Sequence, residues 1–246
     1  MKAAVFSVLV VAAAALRADD YMVVDISDGT NAQAFAVSYL KDAPQGGWGY
    51  LYKTDRLVLR KISGCPGCGD YWIGVFEMTQ RQYGLTFGPN RQSYFAGEKC
   101  PADGISWYMA RTALDNLSAR TGLRFWFPTE AQWEYAARAG EKDEAPLDKV
   151  ARHYYNQTDG KGGTRYATAE VGSYAPNAWG LYDMHGNVWE WTDSWFIDNC
   201  LRLYKGGSWS FSRKSCTVAY RTGNHPGVQD TDVGFRACAF EKQKQH

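Results

Sequence analysis

The sequence predicts an α+β fold with modest regular structure and long loops, on three observations. Short apolar runs bounded by Gly, Asp, Asn and Pro read as strands. Two later stretches repeat apolar residues at helical spacing between capping residues. Residues 141–149 and 154–163, which follow the second helix, are charged or polar and read as loops. The 246 residues suit one large domain able to bury a sizeable core. Ten Trp and sixteen Tyr mean that much of this core carries a polar tip in need of a hydrogen bond. The formal charge of +1 argues against a nucleic-acid partner, which calls for a basic stripe.

Residues 1–18 carry Lys2, an apolar run up to Leu16 and small residues ahead of Asp19-Asp20, the pattern of a secretory signal peptide cleaved after Ala15 or Ala18. The run is short of a bilayer span, so no stable membrane span is expected after cleavage. The expected location is therefore periplasmic or extracellular, an oxidising compartment in which six cysteines are free to pair. Residues 19–62 form a β-type lead-in, with apolar pieces at 21–26, 35–40 and 57–62 and a turn at Gly46-Gly47-Trp48-Gly49. The main domain spans 63–240, and 241–246 are a polar tail. Cys65-Pro66-Gly67-Cys68 reads as a local disulfide, since zinc would need two further ligands at matching spacing and no βαβ pattern surrounds a redox motif.

Residues 71–77 predict a strand with Tyr71, Ile73 and Val75 on one side. A helix then starts at the Ser106 cap, repeats Trp107, Ala110, Leu114 and Leu117 on one face, and ends at Gly122. The second helix follows Pro128 with the capping box Thr129-Glu130-Ala131-Gln132 and stops at Gly140. Its Glu130 and Glu134 are solvent-facing or pairing groups rather than an acid/base dyad. Residues 141–149 and 154–163 are loops. Gly160-Lys161-Gly162-Gly163-Thr164 lacks the spacing of a phosphate loop.

The most informative stretch is Gly180-Leu181-Tyr182-Asp183-Met184-His185-Gly186-Asn187-Val188-Trp189-Glu190-Trp191-Thr192. If Trp189 to Trp191 is extended, both indoles share one face and Glu190 takes the other. A carboxylate there needs a cation, several N–H donors or a metal. With Asp183 seven residues earlier and Gly186 allowing a tight turn between, two carboxylates and backbone carbonyls suit a hard cation such as calcium. The alternative is that Asp183 caps a turn and Glu190 pairs with an arginine.

This stretch, with Phe127-Pro128-Thr129-Glu130-Ala131-Gln132-Trp133-Glu134-Tyr135-Ala136, Lys205-Gly206-Gly207-Ser208-Trp209 and Gly234-Phe235-Arg236, resembles the formylglycine-generating enzyme family, the sulfatase-modifying factors. The resemblance implies that family's α+β fold, similar to C-type lectins, and a calcium site formed by Asp183, the carbonyls of Gly186 and Val188, and Glu190. It also implies a second calcium site at Asn156 and the Gln157 carbonyl. The acidic position of that site falls on Thr164, with Asp159 close by. In catalytic members two cysteines five residues apart hold copper, which with oxygen as the oxidant converts a substrate cysteine to formylglycine. Two thiolates suit Cu(I). Here the first position is Phe211 and the second Cys216.

Three functions follow. The first is a catalytically altered relative serving as a binding or structural module, whose pocket Trp209, Phe211, Tyr220, Arg221 and His225 would line for a peptide, protein or glycan. The second is a copper-dependent oxidase using Cys216, with Ser208 beside the pocket as in catalytic members; otherwise Cys216 is a buried thiol or half a disulfide with Cys200 or Cys238. The third is another oxidoreductase of the superfamily. His153, His185, His225 and His246 lack the clustering of a non-haem iron site, and Ser208 has no nucleophile elbow.

Overall fold

The computed structural model describes residues 20–89, 93–141, 145–157 and 166–241. The signal peptide, Asp159, Thr164 and all but the first residue of the polar tail lie outside the described residues. In chain order the strands are β1 (Tyr21–Asp25), β2 (Ala36–Leu40), β3 (Arg56–Ile62), β4 (Tyr71–Gly74), β5 (Arg124–Trp126), β6 (Ala151–Arg152), β7 (His185–Gly186), β8 (Trp189–Ile197), β9 (Leu201–Lys205), β10 (Thr222–Asn224), β11 (Val233–Phe235) and β12 (Cys238–Phe240). The helices are α1 (Gln80–Thr86), α2 (Trp107–Thr121), α3 (Glu130–Arg138) and the single turn α4 (Leu147–Val150).

An antiparallel six-stranded sheet runs β2-β1-β3-β4-β12-β5, and a second sheet runs β10-β9-β8-β11 with β11 parallel to β8. The three strands of the lead-in fall on its apolar runs and continue the sheet outward from β4. Because β11 and β12 are separated by only Arg236 and Ala237, the two sheets meet at that arginine. Helix α2 buries Trp107, Ala110, Ala113, Leu114 and Leu117 in the core they share with Trp189, Trp191 and Phe235. Ser106 accepts the Met109 N–H at 3.2 Å, and Gly122 closes the helix at φ +74°. The capping box of Thr129 and Gln132 starts α3, as expected, but the left-handed cap at its end is Ala139, at φ 49°, with Gly140 after it.

The strand predicted over 71–77 is shorter. It ends at Gly74, where a side chain would stand 2.8 Å from the Phe76 carbonyl, and the bend that follows carries Glu77 inward. Immediately afterwards Thr79 and Gln82 form a capping box that starts α1, a helix whose T-x-x-Q signal was already in the sequence. Cys65 and Cys68 are joined by a disulfide. Cys200, Cys216 and Cys238 are each free thiols, so of the two alternatives for Cys216 the structure has the buried thiol and not the disulfide with Cys200 or Cys238.

Candidate functional site

The stretch from Gly180 to Thr192 turns because two of its non-glycine residues adopt left-handed backbone, Asp183 at φ 55° and Asn187 at φ 59°. Gly186 is required: a Cβ there would lie 2.0 Å from the Arg152 carbonyl oxygen. From Trp189 the chain is extended, so Trp189 and Trp191 enter the main core and Glu190 projects to the other side.

Glu190 meets Arg236 there. The guanidinium donates through Nη2 at 2.6 Å and through Nε at 3.0–3.1 Å, and the Trp133 indole donates to the second oxygen at 2.7 Å. The arginine alternative for Glu190 is therefore realised. Arg236 also donates to the carbonyls of Gly74 and Tyr182 at 2.9 and 2.8 Å, so it ties β4, the central stretch and β8 together. All of these side chains are buried.

Two further carboxylates share this interior. Glu77 accepts the Asn187 side-chain amide at 2.7 Å and the Val188 N–H at 3.2 Å. Burial, and then the charges of Asp183 and Glu190, hold Glu77 well above the usual carboxylate range. Asp183 accepts the Gly172 N–H through Oδ2 at 2.6 Å, while its buried Oδ1 has no partner. Burial pushes Asp183 up to about 6. For Arg236 the loss of solvent alone would lower the pKa, and Glu190 reverses this and holds it raised. Three buried carboxylates thus surround one buried guanidinium.

Among the described residues no three His, Cys, Asp or Glu side chains converge to hold a metal by themselves. An ion here would need backbone carbonyls. The unpartnered Asp183 Oδ1 and the surplus of negative charge fit a hard cation, which Asp183 and the carbonyls of Gly186 and Val188 would hold. Glu190 would join only through lone pairs left over from three N–H donors. Of the second calcium site only Asn156 and Gln157 lie among the described residues. The Asn156 side-chain oxygen accepts the His153 N–H at 2.9 Å, and its amide donates to the Ala151 carbonyl at 2.6 Å. Gln157 spends its side chain on Trp209 and Ala167.

The Lys205-Gly206-Gly207-Ser208 block lies next to this interior, joined through the Trp209 N–H, which donates to the Asn187 carbonyl at 2.9 Å. Lys205 is buried and donates to Glu134 at 2.7 Å, while Glu130 pairs with Arg221, so both glutamates are pairing groups. Gly207, at φ +84°, lets Cys216 close in, since a Cβ would meet its Sγ at 2.5 Å. The Cys216 thiol is fully buried, 3.7 Å from the Ser208 carbonyl, and burial pushes its pKa up to about 12. A thiol so placed stays protonated. Ser208 and Ser210 both donate to Asp232 Oδ2 at 2.6 Å, a pairing that the sequence reading missed.

Of the expected pocket residues, Phe211 and Tyr220 come together over Trp189, with ring centroids 5.3 and 5.8 Å from it, and both are partly exposed. The Trp189 indole N–H beneath them is buried without a partner. Trp209 packs edge-on against Phe95. Arg221 turns instead to Glu130, and His225 accepts the N–H of Gly227 within its own turn. The acidic interior, the buried cysteine and the aromatic cap thus adjoin one another around β8 and β9, although Glu77 and Arg236 reach the interior from distant parts of the chain.

A family model for the sulfatase-modifying factor enzyme 1-like domain matches residues 68–240. The chain belongs to the formylglycine-generating enzyme family. It is 36% identical to a formylglycine-generating enzyme of Thermomonospora curvata, over 83% of this chain and 76% of that one. It is 35% identical to bovine inactive C-alpha-formylglycine-generating enzyme 2, over 56% and 50%. A serine/threonine-protein kinase, pkn1, of Chlamydia pneumoniae is 31% identical over 57% of this chain, which spans only 24% of the kinase. Among solved structures, Treponema denticola variable protein 1 superposes with a TM-score of 0.66 at 25% identity, covering 77% of this chain and 97% of its own. PvdO from Pseudomonas aeruginosa gives 0.58 at 25% identity, over 70% and 80%. These likenesses agree with the observed loop-rich α+β architecture of the family.

Proposed function

We propose that this chain is an exported, calcium-stabilised family member that works as a binding or structural module rather than as a copper oxidase. One observation carries the reading: at the first copper-cysteine position Phe211 packs on Trp189, and at the second Cys216 is a buried, protonated thiol with no sulfur joined to it. Two-coordinate Cu(I) needs a pair of thiolates and an open third position. The bovine relative described as inactive supports the idea that the family fold persists without the activity. The partly exposed Phe211 and Tyr220 offer apolar contact to a peptide or glycan.

Copper titration of the reduced protein tests this. The expected result is no stoichiometric Cu(I) binding. Tight one-to-one binding that disappears in Cys216→Ser would establish the oxidase instead. Calcium is tested separately by thermal melting in calcium and in excess chelator. An ion bound by the folded state alone, at a hundredfold its Kd, contributes about 2.7 kcal/mol. Chelation should therefore lower Tm, and Asp183→Asn should remove the calcium dependence.

A further inference from the structure

The lead-in of residues 20–62 precedes the matched family domain, yet it reaches the acidic interior through one side chain. Lys53 ends the short turn Tyr50–Lys53, and the Thr79 hydroxyl fixes its carbonyl by donating to it at 2.9 Å. From there the half-buried stem runs over the Phe76 ring, with Nζ 5.1 Å from the ring centroid. Phe76 is stacked on Tyr182 at 4.9 Å, so the ammonium lies beside the residues that flank Glu77 and Asp183.

Gly172 marks the place more closely. A Cβ on this residue, at φ +68°, would come within 3.0 Å of Lys53 Nζ, and its backbone N–H is the one that holds Asp183 Oδ2. Lys53 makes no ion pair within 4 Å among the described residues, whereas the neighbouring Lys99 pairs with Glu170 at 2.6 Å. The Asp183 carboxylate that Gly172 holds has its other oxygen, Oδ1, buried and unpartnered. An ammonium without an ion-pair partner and a carboxylate with one unsatisfied oxygen thus both adjoin one glycine. Burial lowers the Lys53 pKa, and Asp183 is the first charge to oppose that change.

We propose that the N-terminal segment supplies the acidic interior with a tethered counter-cation, the Lys53 ammonium, which offsets the charge of Asp183 and competes there with a free divalent ion. The competition rests on the calcium reading above; the pairing with Asp183 does not. A lysine held this way keeps the interior from carrying its full negative charge whenever no ion is bound.

The test is a double-mutant cycle of Lys53→Met and Asp183→Asn, read by Tm in chelator and by calorimetric calcium titration. Methionine keeps the stem on Phe76 and removes the charge. With Asp183 intact, Lys53→Met should lower the chelated Tm by about 2–4 °C. In the Asp183→Asn background it should change little, and Lys53→Arg should retain most of the wild-type value. With the positive charge gone, the calcium dissociation constant should tighten by about tenfold. An equal Tm loss in both backgrounds would show that only the stem matters and would overturn the pairing. Equal calcium affinity in wild type and Lys53→Met would overturn the competition. Coupling in the cycle with no calcium bound by either protein would leave Lys53 as the resident cation and overturn the calcium reading alone.

Discussion

Arg236 is the residue on which the most groups depend, because it answers Glu190 and two backbone carbonyls in the buried interior. Breaking a buried pair leaves the other charge stranded, so Arg236→Met should lose about 3–5 kcal/mol in denaturant unfolding. Asp183 and Glu77 act in the opposite sense. Their folded pKa values are raised, so the native state holds protons that the unfolded chain has released. In chelator, stability should therefore rise as the pH falls from about 7 through about 6 toward the normal carboxylate range, and added calcium should flatten that rise. A monotonic loss of stability on acidification from pH 7 to 5 would contradict it. The cysteines divide by burial. Cys200 is exposed, and Cys100, Cys216 and Cys238 are buried. Native alkylation in mass spectrometry should mark Cys200 alone, with the other three labelled only after denaturation.

At the scale of elements, the capping residues join parts of the chain distant in sequence. Thr79 caps α1 by accepting the Gln82 N–H at 3.2 Å and donates to the Lys53 carbonyl at 2.9 Å. Thr79→Ala should therefore cost about 1–2 kcal/mol, and Thr79→Ser should recover most of it. The helices that the sequence announced are those with local signals at both ends. Ser106 and Gly122 bound α2, and Thr129 and Gln132 open α3, because capping depends on residues within one turn. The length of β4 was not legible. Its alternation runs on to Val75, but the chain bends at Gly74 to bring Glu77 beneath Asn187, a demand set by a residue more than a hundred positions away.

For the whole molecule, the lead-in strands are structural members of the main sheet. The register of β1 against both β2 and β3, and of β3 against β4, makes them half of its six strands. Met22, Val24, Leu57 and Leu59 lie in the same core cluster as Trp191 and Phe235. Removal of residues 20–62 would uncover that core and the edge of β4, so the truncated chain should appear in the insoluble fraction and show no cooperative melt. Among the described residues no helix is long and apolar enough to cross a membrane.

The sequence alone determined the family, the two large helices and the strands of the lead-in, since all of these are written in adjacent residues or fixed spacings. It also set Glu190 on the face opposite its two tryptophans, through the twofold period of a strand. Only the tertiary structure decided what meets that carboxylate. Arg236, Trp133, Glu77 and Lys53 come from four separate segments, and no local pattern records which of them arrive at Asp183 and Glu190. Charge balance in a buried space is a property of everything packed into it, so it becomes readable only once the chain has folded.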